Sequence, residues 1–388
     1  MRAEHAAAAV PALLQWTEAG VAMTARWQSE AGLPPPKRIQ PADDTLTADT
    51  AYRLACEGTA FVWRGDFQNA RQLLQALTRR AERKPRNPPV PSTVPGAAFR
   101  ANRHAQAQRA RILGMLLIPV DADYGIPLRR APDARTALEE ALGRGTGAMV
   151  MSLRELQGLI GAHEWRKKGV EVPALKGRIH PHYGVFAPIR SEYVGLLARA
   201  PLTTTTLAWD IGTGTGVLAA VLARRGVLRV VATETDPRAL ACARDNIARL
   251  GVADRVTVVE ADLFPGGRAP LIVCNPPWVP ANPSSALERA IFDPDCRMLK
   301  GFLFGLAAHL EPKGEGWLLL SDFAEQLGLR TRADLMGWID AAGLVVVGRL
   351  DVRPDHPKTR ENADPLHAAR AAEMTTLWRL AAKPPTPA

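Results

Sequence analysis

The sequence predicts an α/β fold: a mostly parallel sheet covered by helices on both faces, ending at one edge in an antiparallel hairpin, behind a mainly helical N-terminal unit. Three observations carry that expectation. From Leu207 onward, short apolar runs alternate with amphipathic stretches of helical length, the pattern of a parallel sheet buried on both sides. A glycine-rich turn, Asp210-Ile211-Gly212-Thr213-Gly214-Thr215-Gly216, falls where the first apolar run gives way to the first helix. An acidic residue, Glu234, closes the second run 22 residues after Gly212.

At 388 residues the chain is long enough for two or three domains, given about 150 residues for each. A composition of 47% apolar and 23% charged residues is that of an ordinary globular protein. No long apolar stretch is free of charge and proline, and the N-terminus lacks the basic-then-apolar start of a secretory signal, so the expected location is cytoplasmic, away from membranes. Cys56, Cys242, Cys274 and Cys296 are scattered without a CxxC pair, against a zinc site or disulfide framework. The net charge of +10 is unevenly spread: residues 1–200 carry 28 Lys/Arg against 18 Asp/Glu, residues 201–388 carry 21 of each. Such a one-sided excess is either an electrostatic footprint for a polyanion or an Arg-rich solvated surface.

Taken in order, residues 1–30 read as helical, rich in Ala with Leu, Val and Trp as core anchors, and the prolines between Leu33 and Ala42 end that pattern. Asp66 is the N-cap expected for a helix that carries Phe67, Ala70, Leu73, Leu74 and Leu77 inward and Arg71, Arg79, Arg80 and Arg83 outward. Five prolines between Lys84 and Ala98 predict an extended connector. A third helix is expected from Phe99 to Leu117, basic at Arg100, Arg103, Arg109 and Arg111. Residues 118–175 alternate apolar runs with charged turns. Residues 1–175 hold no catalytic motif and read as a basic accessory domain for substrate recognition.

Beyond it, strands are predicted at 207–210, 228–233, 256–260, 271–274 and 316–320, with helices at 216–224 and 237–250. Strands at 344–350 and 375–380, without a clear helix between them, form the edge hairpin. The catalytic domain is placed at 176–382 and a disordered tail at 383–388.

Glycines at 212, 214 and 216 let the backbone turn sharply and approach a ligand without a Cβ in the way. Glu234 is suited to accept from both hydroxyls of a ribose, and Asp236, followed by Pro237, reads as the cap of the next helix. Asp262-Leu263-Phe264 follows the third strand: Asp262 is either an acceptor for an adenine amino group, with Leu263 covering the ring, or a turn aspartate. Asn275-Pro276-Pro277-Trp278 directly follows the apolar run Leu271–Cys274. A planar NH₂ group is a poor nucleophile because its lone pair is delocalised. An Asn275 side-chain oxygen and a Pro276 carbonyl can hold its two protons and turn the lone pair toward an electrophile. The prolines stiffen the loop, and Trp278 offers a flat face for stacking.

These four motifs, in this order and spacing, resemble the class I, Rossmann-like methyltransferases with a methyltransferase small domain, among them rRNA guanine-N2 and protein N5-glutamine methyltransferases. The resemblance covers about residues 180–382. It implies S-adenosyl-L-methionine as cofactor, S-adenosyl-L-homocysteine as product and no metal. It places the cofactor on Asp210, Gly212, Gly214, Gly216, Glu234, Asp262, Leu263 and Asn275, and the target nitrogen on Asn275, Pro276 and Trp278. The family more often has Tyr or Phe where Trp278 stands.

The matching upstream segment in related enzymes closes over the cofactor, which makes Phe186 and Arg190 lid residues or packing residues. His180 and His182 read as a surface turn rather than a metal pair, Cys274 as core, and Trp378 as core of the last strand. The charge placement favours an RNA base (rRNA or tRNA) as methyl acceptor, with a protein glutamine amide as the alternative and an inactive cofactor-binding assembly factor as the third reading.

Overall fold

The computed structural model describes residues 12–83, 94–145, 147–285, 287–354 and 365–384. The chain forms two compact units, Met1–Pro91 with Ala101–Glu164, and Ser92–Arg100 with Trp165–Ala388.

The first unit departs from the mainly helical expectation. It holds a six-stranded sheet in the order β1 (Leu13–Glu18), β2 (Val21–Gln28), β6 (Met149–Ser152), β5 (Leu116–Val120), β4 (Thr59–Trp63) and β3 (Arg38–Ala42). With it go α1 (Ala48–Cys56), α2 (Phe67–Ala81), α3 (Ala97–Leu113), α4 (Arg135–Leu142) and α5 (Leu153–Lys168), of which α3 starts and α5 ends in the second unit. Residues 13–28, expected as helix, are a hairpin. Along β1 only Leu14 and Trp16 are buried while their neighbours face out, a period of two, and Ala19 and Gly20, with φ of 48° and 81°, make the turn. Residues 1–11 of that expected helix lie outside the described residues.

Asp66 caps α2 as expected, accepting from Gln68 N–H at 2.8 Å, and the five anticipated apolar side chains are buried. The third helix stops at Leu113 instead of Leu117: Gly114 closes it on Ala110 O, and the apolar run that follows is the wholly internal β5. Of the expected connector, residues 84–93 lie outside the described residues, and Ala97 and Ala98 already belong to α3.

The main segment of the second unit begins at Trp165, ahead of the expected boundary at 176, and β7 (Val170–Val172) and β8 (Gly177–Ile179) pair with each other and bury Val172, Leu175 and Ile179 in its core. Next come α6 (Glu192–Arg199), β9 (Leu207–Ile211), α7 (Val217–Arg224), β10 (Arg229–Glu234), α8 (Pro237–Arg249), β11 (Val256–Glu260) and β12 (Ala269–Cys274). They are followed by α9 (Arg297–His309), β13 (Leu310–Ser321), α10 (Phe323–Gln326), α11 (Arg332–Ala341), β14 (Leu344–Val352), α12 (His367–Ala372) and β15 (Thr375–Ala382).

The sheet order is β11-β10-β9-β12-β13-β15-β14; the first five strands are parallel and β15 is antiparallel to both neighbours. This is the Rossmann-like sheet with an antiparallel edge hairpin. Alternation along the strands feeds two cores. Leu271 and Val273 pack toward α6 and α7, whereas Ile272 and Cys274 pack toward α9. Lys383, expected in the tail, is tied down by a bond from its N–H to Gly343 O and an ion pair with Asp340 at 2.6 Å; residues 385–388 lie outside the described residues.

Candidate active site

The strand order reverses at β9, whose neighbours β10 and β12 lead away in opposite directions, and a parallel sheet opens a crevice at the carboxyl ends of such strands. Ile211 is in register with both Thr233 and Cys274. Gly212, Glu234 and Asn275 therefore leave the sheet side by side.

Gly212, Gly214 and Gly216 have φ of 69°, 56° and 79°, a region costly for any residue with a Cβ. A Cβ at Gly212 would collide with Met298 Cε, whereas one at Gly214 would meet no atom within 4 Å: the turn is open there. Thr213 N–H donates to Thr233 O (2.9 Å), and its hydroxyl donates to Asp210 Oδ2 (2.6 Å). The same oxygen accepts from Ala219 N–H at 3.0 Å. Asp210 is fully buried, and its Oδ1 has no partner among the described residues. Burial pushes its carboxyl up to about 6, against the pull of the Thr213 and Ala219 bonds and with a smaller upward push from the Glu234 charge.

Glu234 braces the turn. Its Oε2 accepts from Gly214 N–H at 3.1 Å, and its Oε1 from Thr235 N–H (2.8 Å) and Asp236 N–H (3.2 Å). Each carboxylate oxygen has two acceptor positions, so Glu234 keeps capacity for a ligand. Asp236 caps α8, accepting from Arg238 and Ala239 N–H, and its other oxygen meets Arg289 at 3.1 Å. Asp262 is exposed and only 3.8 Å from Arg297, while Leu263 beside it sits at φ 64° with its carbonyl held by Thr233 Oγ1 (2.7 Å). Phe264 does not face the crevice group: it stacks on His309 at 4.3 Å and on Phe302 at 5.9 Å, packed onto α9.

Asn275 follows β12 directly, with Pro276 buried behind it. Its Oδ1 accepts from Trp278 Nε1–H at 2.9 Å. The sequence suggested an open stacking face on Trp278; instead the Arg190 guanidinium lies 5.7 Å from the ring centroid and Tyr193 meets the ring at 6.2 Å and 89°.

Arg190 bridges two carboxylates, donating to Glu192 Oε1 (2.8 Å) and Glu373 Oε1 (3.0 Å), and Phe186 is half-buried. His180 and His182 are not a free surface turn. His180 contacts Arg166 O through Nδ1 and donates from its backbone to Asn246 Oδ1, and His182 contacts Asp245 at 3.3 Å. Among the described residues no group of three or more His, Cys, Asp or Glu is arranged for a metal ion. Cys274 is buried and its thiol is pushed well up by that burial.

Three residues outside the motifs also shape the site. Asn246 is fully buried in α8 and donates to Thr215 O (3.1 Å) while accepting from His180 N–H (2.7 Å), which ties the glycine turn to the upstream segment. Thr233 holds both Thr213 and Leu263. Glu373 holds Arg190 and Ser321. A polar residue in an otherwise apolar helix stripe was the one available signal for Asn246; the other two give none.

Residues 177–324 match the methyltransferase small domain. The chain is 34% identical over 180 residues to a release factor glutamine methyltransferase of Cereibacter sphaeroides, covering 43% of this chain and 61% of that one. It is 33% identical over 111 residues to a tRNA1(Val) (adenine(37)-N6)-methyltransferase of Shewanella loihica, covering 26% and 46%. Against a ribosomal protein L11 methyltransferase of Pelotomaculum thermopropionicum it is 49% identical over 69 residues, covering 17% and 22%. The chain thus spans about three fifths of the first of these relatives and less than half of the other two. Among the described residues no helix is long and apolar enough to cross a membrane.

Proposed function

We propose that the second unit binds S-adenosyl-L-methionine and transfers its methyl group to a planar amino nitrogen, most favourably on an RNA base. The observation that carries this reading is the adjacency of Gly212 and Asn275, which follow the paired residues Ile211 and Cys274 at the carboxyl edge of the sheet. A donor turn and an acceptor loop meet at one place. The residues fit the cofactor: the turn is open at Gly214, and the buried Asp210 Oδ1 lacks a partner among the described residues. Asp210, Gly212, Gly214, Gly216, Glu234, Leu263 and Asn275 would hold it, with Asp262 at the outer rim and Phe186 and Arg190 as lid. The cofactor supplies an already activated methyl group on a sulfonium.

The chain's own residues do the rest. Asn275 Oδ1 carries one bond from Trp278 and retains a second acceptor position for a substrate N–H. The Pro276 carbonyl is the proposed acceptor for the other proton. Holding both protons strips the nitrogen of its planarity and aims its lone pair, and the stiff Pro276-Pro277 turn removes the need to order the acceptors during reaction. No strong base is required, since the methylated ammonium-like product is acidic.

The choice of RNA rests on charge. Residues 51–200 contain 24 basic and 12 acidic residues, and Arg71 and Arg79 on α2 are exposed. Such a surface suits a phosphate backbone, and residues 1–175 are proposed to recognise it. Part of the excess is neutralised within the unit, where Arg80 pairs with Asp49 at 2.8 Å and Arg109 stands 3.9 Å from Glu82. A protein glutamine amide is the second reading, favoured by the length of the match to the release factor enzyme. With either substrate the proposed location is the cytoplasm.

The test is transfer of labelled methyl from the cofactor to a bacterial lysate, followed by ribonuclease or protease. Label lost to ribonuclease supports the RNA reading. Label that survives ribonuclease and is lost to protease selects the protein. Cofactor binding without label on either polymer overturns methyl transfer altogether.

A further inference from the structure

Arg190 sits at the centre of a continuous chain of contacts that begins on the last strand pair and ends at the acceptor loop. Glu373, between α12 and β15, is 1% exposed. Its Oε1 accepts from Ser321 Oγ at 2.6 Å and from Arg190 Nη2 at 3.0 Å, while its Oε2, also buried, has no partner among the described residues. Arg190 also donates through Nε to Glu192 Oε1 at 2.8 Å, so its guanidinium is fixed at both ends. Held this way it lies over the Trp278 ring, whose indole N–H donates to Asn275 Oδ1.

A buried carboxylate with one oxygen unpaired adds little to fold stability, since desolvation offsets much of what the ion pair returns. Its effect is geometric. Two carboxylates hold one guanidinium, the guanidinium lies over an indole that Tyr193 also meets, and the indole N–H meets the Asn275 amide oxygen. A side-chain amide can present either its oxygen or its NH₂ to a substrate, and the two are nearly isosteric. The indole N–H selects the oxygen.

We propose that Glu373 is a positioning residue for methyl transfer: it holds Arg190 against Trp278 and thereby keeps the Asn275 oxygen turned to accept a proton of the substrate amine. The inference rests on the methyl-transfer reading above. It also gives Trp278 a role that Tyr or Phe in its place lacks, because only the indole carries a ring N–H in reach of Asn275.

The test uses the full chain with ¹⁵N-labelled tryptophan. One of nine indole resonances is assigned to Trp278 by its loss in Trp278→Phe. Glu373→Gln removes the charge of one anchor of Arg190, keeping at most a neutral acceptor there, and leaves the Glu192 pair. The expected result is a displaced Trp278 indole resonance and single-turnover methyl transfer slowed about tenfold or more, the size expected for weakening one charge-assisted bond, with any fall in cofactor affinity from the lid role of Arg190 clearly smaller than the fall in rate. Glu373→Asp should recover part of the rate. Should Glu373→Gln not fold, Arg190→Lys, whose ammonium cannot span both carboxylates and lie flat on the indole, is expected to give the same displacement and slowing. An unmoved indole resonance, an unchanged rate, or a fall in cofactor affinity as large as the fall in rate would each overturn the assignment. Failure of the wild-type chain to methylate any polymer overturns methyl transfer instead, and the indole resonance still decides whether Glu373 controls Trp278.

Discussion

Replacing Asp210 by Asn separates stability from ligand binding at the glycine turn. Asp210 is fully buried, and its carboxyl is raised from 3.8 to about 6. Between those values the folded chain binds more protons than the unfolded one, so this group lowers stability as pH rises from about 4 to about 6 and has no further effect above. Two pH units at about 1.4 kcal/mol each amount to about 3 kcal/mol. An amide keeps an acceptor for Thr213 Oγ1 and Ala219 N–H but puts an NH₂ where the unpartnered Oδ1 stands, at a cost of about 1–3 kcal/mol. At pH 8 Asp210→Asn should therefore match or exceed the wild-type stability by up to about 2 kcal/mol, and at pH 4 it should be less stable. The advantage of the variant should change by about 3 kcal/mol between the two, read from urea unfolding of both proteins at several pH values. Cofactor affinity should fall in the same variant at every pH. A stability difference independent of pH would refute the buried-carboxylate argument.

Asn275→Ala should slow methyl transfer about 100-fold or more, the scale of a lost transition-state hydrogen bond, while equilibrium titration shows a much smaller fall in cofactor affinity; a loss of binding as large as the loss of rate would show that Asn275 serves the cofactor and not the acceptor. Glu234→Ala should do the reverse, weakening cofactor binding about tenfold or more because it removes the brace on Gly214 as well as the ribose acceptor, and calorimetry without acceptor substrate reads this directly. Trp278→Phe keeps an aromatic ring beside Tyr193 but loses the N–H to Asn275, so the rate should fall about tenfold at constant cofactor affinity; an unaffected rate would make the indole a packing group only. Asn246→Ala leaves Thr215 O and His180 N–H without their buried partner and should destabilise the chain by about 2–4 kcal/mol in denaturant, with an effect under 1 kcal/mol refuting its bridging role.

The second unit was legible because its strands are short apolar runs bounded by residues with one evident local role. Asp236 and Pro237 start α8, the glycines at 212–216 start α7, and Leu271–Cys274 is apolar on both faces because both faces are covered. In the first unit the signals were weaker. β1 buries only two side chains, so its alternation is four residues deep, and Ala19, which turns the hairpin, is not a residue that announces a turn. Nothing but Gly114 separates the apolar end of α3 from the apolar β5, so the sequence pattern reads as one continuous helix.

At the site, motif residues were legible and their supports were not. Glu234 is recognisable as a strand-end carboxylate, but that it reaches Gly214 N–H depends on the geometry of two adjacent loops. Arg190 and Glu373 are 183 positions apart, and no local pattern links them. Trp278 looked like a free aromatic face because its neighbours Arg190 and Tyr193 come from a distant segment.

The last strand of the sheet is not at its rim. β15 is threaded between β13 and β14, and Glu373 stands at its entrance beside Ser321. During synthesis, residues through β14 reach the exit tunnel with the glycine turn, Asn275 and Arg190 already made, yet β13 and β14 have no native partner in each other. The glycine turn can form before β15 is in place, whereas the contact from Glu373 to Arg190 waits until β15 is threaded between its two neighbours.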